Sequence, residues 1–200
     1  MRAARIARVM SIALLAVITA SCTTTATSRF YTLESTATAD GAPSTPAQGS
    51  VMIGPVTIPA AVDRPEFVIQ VAANRVEVEE FNRWVAPLGD SIARVVAANL
   101  VVILGTPNVA AAPLANFNPA YLVTIDVQRF DSIRGQAAVL EAVWTVRKTA
   151  TAEARSSRTV ARETVQGQDF DALAAAHSRA LAKLSSDIAT AIRAEAEQKP

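Results

Sequence analysis

Apolar and polar positions change their period several times along this 200-residue chain, and each change marks an element. Val51-Met52-Ile53-Gly54-Pro55-Val56-Thr57-Ile58 reads as a strand, with Pro55 pushing it toward a sheet edge or a bulge. Phe67–Val71 and Arg75–Val78 are two further strands joined by a turn at Ala72-Ala73-Asn74. Leu88, Ile92, Val95, Val96, Leu100 and Ile103 then recur at three- and four-residue steps, the stripe of an amphipathic helix. Asp90 or Ser91 is expected to cap its first turn, and Gly105 followed by Pro107 to end it. Residues 106–119, with three prolines, read as a loop. Tyr121–Val127 and Ala138–Val146 alternate strictly around a turn near Arg134-Gly135-Gln136, which predicts a long antiparallel hairpin with one packed and one wet side. A further strand is expected over Ser157–Val165. A last helix starts at Asp169 as N-cap and carries Leu173, His177, Leu181, Leu184, Ile188 and Ile192 on one face. The pattern predicts a single α+β domain, an antiparallel or mixed sheet packed by two amphipathic helices.

The first twenty-two residues follow a different rule. Arg2, Arg5 and Arg8 form a positive head, Val9–Ala20 is a short apolar run, and Thr19-Ala20-Ser21 brings small residues up to Cys22. This is the layout of an export signal. Twelve residues reach only about 18 Å as a helix, too little for a hydrocarbon layer of about 30 Å. Cys22 is the only cysteine of the chain, so an internal disulfide is excluded.

Between signal and domain the sequence loses its apolar residues. Residues 23–29 are small and polar, Phe30-Tyr31-Thr32-Leu33 is a short β-type island, and Glu34–Ser50 is rich in Ser, Thr, Ala, Pro and Gly. Such a stretch buries too little surface to offset its chain entropy and reads as a flexible connector. The expected division is a signal peptide over 1–21, an anchor residue and linker over 22–50 with a strand near 30–33, and a folded domain over 51–197.

Charge narrows the function classes. The chain has 19 Lys and Arg against 18 Asp and Glu; loss of the three signal arginines leaves 16 against 18, a net charge of −2. That balance speaks against a nucleic-acid binder. His177 is the sole histidine and lies on an apolar helix stripe, where a hydrogen-bonded core imidazole is the ordinary reading. A metal site lacks a second imidazole. No G-x-S-x-G, G-x-G-x-x-G or phosphate loop occurs. No cofactor, metal or catalytic residue is therefore assigned, and a binding or scaffold role is expected rather than an enzyme.

Several motifs carry a resemblance. The end of the signal resembles a bacterial lipobox, although Thr19 stands where leucine is usual; it implies acylation at the Cys22 sulfur and cleavage before it. Phe30-Tyr31-Thr32-Leu33, Ile53-Gly54-Pro55-Val56-Thr57-Ile58-Pro59 with Val62-Asp63-Arg64-Pro65, and Arg83-Trp84-Val85-Ala86-Pro87-Leu88 together resemble the PqiC-type ABC-transport auxiliary lipoproteins. The resemblance implies an outer-membrane lipoprotein on the periplasmic face. Its implied partners are a periplasmic MCE-domain protein and inner-membrane ABC or permease components that move lipid, and a homo-oligomer is a further implied possibility. Thr23 rather than aspartate after Cys22 leans the same way, toward the outer membrane. Pro55, Pro59, Asp63, Arg64, Pro65 and Trp84 are the candidate partner-binding residues. The residues leave other readings open: Trp84 as a lid on the core, and Asp63-Arg64-Pro65 as a turn in which Asp63 accepts backbone N–H bonds. A stand-alone lipid carrier with an apolar cavity, or an envelope hydrolase relying on His177, are the competing functions.

Overall fold

The computed structural model describes residues 26–38, 49–111 and 117–197. The signal peptide and Cys22, most of the expected connector and the middle of the proline loop lie outside them. Among the described residues, eight strands and two helices follow in chain order: β1 Arg29–Tyr31, β2 Val51–Thr57, β3 Glu66–Ala72, β4 Arg75–Trp84, α1 Leu88–Leu104, β5 Val109–Ala110, β6 Tyr121–Ile133, β7 Ala137–Lys148, β8 Ala154–Thr164 and α2 Phe170–Glu197.

β6 is the strand shared by the whole sheet. One side pairs antiparallel with β7 along its full length, and β7 pairs in turn with β8. The first half of its other side pairs parallel with β2, which carries the two-residue β5 outside it. Its far end meets β3 through Ile69 and Ser132, and β4 and β1 continue outward from there. The sheet is mixed, as the α+β reading allowed. Pro55 sits in a bulge: Ile53 pairs with Val123 and Val56 with Ile125, so Gly54 and Pro55 together oppose Thr124 alone.

The alternation in β6 and β7 sorts as expected. Tyr121, Val123, Ile125 and Val127 on one strand, and Ala138, Leu140, Ala142, Trp144 and Val146 on the next, are buried. Both helices lay their stripes on that face. Asp169 caps α2 through a 2.8 Å bond from the Ala172 amide to Oδ1. Gly105 ends α1 in the left-handed region, φ 67°, with its amide on the Val101 carbonyl.

Three expectations at element ends need correction. No side chain caps α1; Pro87 holds the N-cap position, and neither Asp90 nor Ser91 reaches back to an amide. The fixed φ of proline presets the entry to the helix, so the chain starts it without a capping oxygen. The loop over 106–119 contains β5, because Val51 and Met52 leave an open edge that a short run can pair with. The start of the connector is also held. Tyr31 and Leu33 enter the core, the Glu34 amide donates to Ser178 Oγ at 3.1 Å, and the Ala37 amide donates to Asn99 Oδ1 at 3.1 Å. The folded body therefore reaches back to Arg29 rather than beginning at Val51.

Asn99 is the hinge-pin of that arrangement. It is fully buried on α1, accepts from Ser35 Oγ at 2.7 Å as well as from Ala37, and donates through Nδ2 to Ser185 Oγ on α2 at 3.2 Å. Asn99→Ala is expected to destabilise the protein by about 1–3 kcal/mol, since buried partners are left unsatisfied. Hydrogen exchange at the Ala37 amide should rise well above that at β6 amides. Unchanged protection at Ala37 would show that residues 34–37 are held by something else.

Candidate functional site

The turn after β2 is built from the Pro59 carbonyl. It accepts from the Val62 amide at 3.0 Å and the Asp63 amide at 3.2 Å, and the Arg64 amide donates to the Val62 carbonyl at 2.9 Å. Among the described residues the Asp63 carboxylate accepts no backbone bond, so the alternative in which it closes the turn does not describe this turn. Asp63, Arg64 and Pro65 are all exposed. The Trp84 amide then donates to the Pro65 carbonyl at 2.6 Å, which ties the turn to the end of β4.

This tie produces a groove. Asp63, Arg64 and Pro65 form one wall; Trp84, Val85, Ala86, Pro87 and Leu88 form the other, around a volume of about 310 Å³. A second groove of about 410 Å³ lies across the first turn of α1, lined by Met52–Val56 on one side and Gly89, Asp90 and Ala93 on the other. Pro55 belongs to this second groove. The ridge between the two is close-packed: a Cβ on Gly89 would stand 3.1 Å from the Val56 carbonyl oxygen, so a larger residue there would push helix and strand apart by a few tenths of an ångström. Four of the six candidate residues are thus brought together on one groove, Pro55 opens on the neighbouring one, and Pro59 shapes the turn between them.

Trp84 serves the core more than the groove. It is 6% exposed, and its ring stacks on Phe67 with centroids 4.0 Å apart. The groove therefore has an indole as its floor, while Arg64 and Val85 stand at its lip. Val85 is 59% exposed and adds an apolar side chain to that lip. The sequence reading named Trp84 and passed over Val85; the only sequence sign was its place inside the Arg83–Leu88 motif.

His177 lies in the core and lines neither groove. It is fully buried, stacks on Phe130 at 3.9 Å, and shares a 2.8 Å hydrogen bond between Nε2 and Ser132 Oγ. Burial pushes its pKa down to about 3, so the ring is neutral at ordinary pH. Its Nδ1 has no partner among the described residues. Among the described residues no three His, Cys, Asp or Glu side chains converge as metal ligands would.

Solved proteins share this fold. One crystal structure of an uncharacterised protein superimposes with a TM-score of 0.69 at 18% identity, covering 84% of this chain and 99% of the other. The Xanthomonas campestris protein XCC0632, of the DUF330 family, gives 0.69 at 19% identity, covering 86% of this chain and all of the other. At such identities the likeness speaks for the fold. No curated protein matches the chain. The model of the ABC-type transport auxiliary lipoprotein component family matches residues 31–189, from β1 deep into α2, and the chain belongs to that family.

Proposed function

We propose that the protein is an acylated docking subunit of an intermembrane lipid transporter, held on the periplasmic face of the outer membrane through Cys22. In this reading it receives a periplasmic MCE-domain protein that works with inner-membrane ABC or permease components. Membership of a transport auxiliary lipoprotein family supports the coarse part of the assignment. The observation that carries the docking role is the paired grooves beside the first turn of α1. They bring five of the six candidate residues onto two adjoining, largely apolar grooves with a charged lip, the composition a partner's anchor residue would fill. Multiple acyl chains on one cysteine give the stable anchoring a docking base needs, since each buried methylene contributes about 0.8 kcal/mol.

A photo-crosslinking residue placed at Arg64 or Val85 tests this in intact envelopes. Trp84 is unsuitable for the probe because it is buried. The expected adduct is with a periplasmic MCE-domain protein, and the same probe at Val160 on β8 should give none. Arg64→Glu, with the probe at Val85, is expected to reduce capture roughly tenfold, the effect of losing about 1.4 kcal/mol at a charged rim. Equal labelling from Val85 and Val160 would remove the groove from the account of docking.

A further inference from the structure

We infer that the outward corner formed by β1 and β4 rests on the lipid surface to which the protein is anchored, with Phe30 and Phe81 entering the headgroup region. The inference rests on acylation at Cys22, and it adds which face of the domain meets the bilayer. Two observations carry it.

The first is reach. Only six residues, Thr23–Ser28, separate Cys22 from β1. Seven Cα-to-Cα steps span at most about 25 Å even when fully extended. A domain of this size has a radius of gyration of roughly 15 Å. The β1 corner therefore cannot be held a domain's width away from the membrane, as a connector running to Val51 would have allowed.

The second is the distribution of exposed apolar side chains. Among the described residues, seven large hydrophobics are exposed, and six of them lie on β1, the β3–β4 hairpin or the residue just after it; only Val160 lies elsewhere. Val85 belongs to the groove already described. Phe30, 61% exposed, stands in register with Arg83, and Phe81, 40% exposed, lies two positions earlier on β4. Aromatic rings left in water at the point where a lipid tether leaves the domain are placed for the interface between headgroups and acyl chains.

Charge selects the kind of surface. Arg29 and Arg75 are exposed here and Arg83 is paired with Glu66 at 2.6 Å, while Glu77, Glu79 and Glu80 lie along the same hairpin. A strongly anionic surface would repel the three carboxylates. A zwitterionic phosphatidylethanolamine surface offers phosphate to Arg29 and ammonium groups to the glutamates.

The full-length acylated protein provides the test. Because acylation consumes the sulfur of Cys22, a cysteine introduced by Phe30→Cys, Phe81→Cys or Val160→Cys is the only free thiol for an environment-sensitive fluorophore. Each labelled protein is bound to phosphatidylethanolamine–phosphatidylcholine vesicles containing spin-labelled lipid. Several-fold quenching at positions 30 and 81, none at 160, and no gain on adding phosphatidylglycerol are expected. Probes at 30 and 81 that stay as unquenched as 160 on vesicle-bound protein would overturn the inference and leave anchoring intact. Protein that does not float with vesicles would overturn the anchoring reading itself, and this inference with it. Concentration-dependent shielding at 30 and 81 in detergent would assign the corner to a second copy and equally overturn it.

Discussion

Phe67→Ala is expected to cost about 3–5 kcal/mol, the range for removing a fully buried phenyl ring from a packed core. Phe67 on β3 is 0% exposed, and its ring meets three others. Tyr31 of β1 stands edge-on at 5.3 Å, Trp84 of β4 stacks at 4.0 Å, and Phe170 of α2 lies edge-on at 5.2 Å. Aromatics are only 5% of the chain, so this cluster concentrates much of the packing that joins those four elements. Such a loss is a large share of a typical domain stability of about 5–15 kcal/mol. Urea titration of the wild type and variant reads it directly, as a fall in midpoint with an unchanged slope. A loss below about 1 kcal/mol would mean that neighbouring side chains collapse into the space and that the cluster is not a keystone.

The second large effect is a loss of stability in acid that His177 imposes. Its folded pKa is near 3 against an ordinary 6.5, because burial disfavours the imidazolium. The unfolded chain thus binds a proton that the folded chain refuses. The stability from this group is full above about pH 6.5, falls as the pH drops through that value, and stops falling near pH 3. At 1.36 kcal/mol per unit the whole loss is about 5 kcal/mol, of which about 2 has gone by pH 5. The surroundings explain the refusal: Phe130 stacks on one face, Trp84 stands edge-on at 6.2 Å, and Ser132 is the sole hydrogen-bond partner among the described residues. His177→Gln cannot titrate. The difference between wild-type and variant stability should therefore shrink by about 2 kcal/mol between pH 7 and pH 5. If the two proteins lose stability in parallel over that window, the imidazole is not held neutral by the fold.

How far this was legible in the sequence depends on whether a local pattern or a distant partner decides the outcome. The β6–β7 hairpin and α2 announce themselves because their periods run for many residues and their ends carry turn or capping chemistry. Asp169 is both the right residue type and in the right place. Pro55 marked a bulge or an edge, and the register gives the bulge. The segment after Leu33 reads as a free connector yet is held against the domain, and the reason is physical. Its own side chains bury little, and what holds it is Asn99 and Ser178, more than sixty positions away in sequence. An asparagine inside the apolar stripe of α1 was the available sign, since a polar group buried there needs partners. Asp63 shows the opposite failure. Its residue type suits a turn, yet the Pro59 carbonyl does the closing and leaves the carboxylate at the groove lip. The groove itself could not be read in advance. It exists because the Trp84 amide finds the Pro65 carbonyl, a contact between two segments that no periodicity encodes. The family motifs named most of its residues without showing what they build.

The proposed location and partners both require that the sulfur of Cys22 carries lipid. Intact-mass measurement of the mature protein from its native envelope asks this most directly. A chain beginning at Cys22 and heavier than its sequence by a diacylglyceryl group is expected. A mature chain that retains residues 1–21, or begins at Cys22 with an unmodified thiol, would contradict membrane anchoring and the docking role built on it.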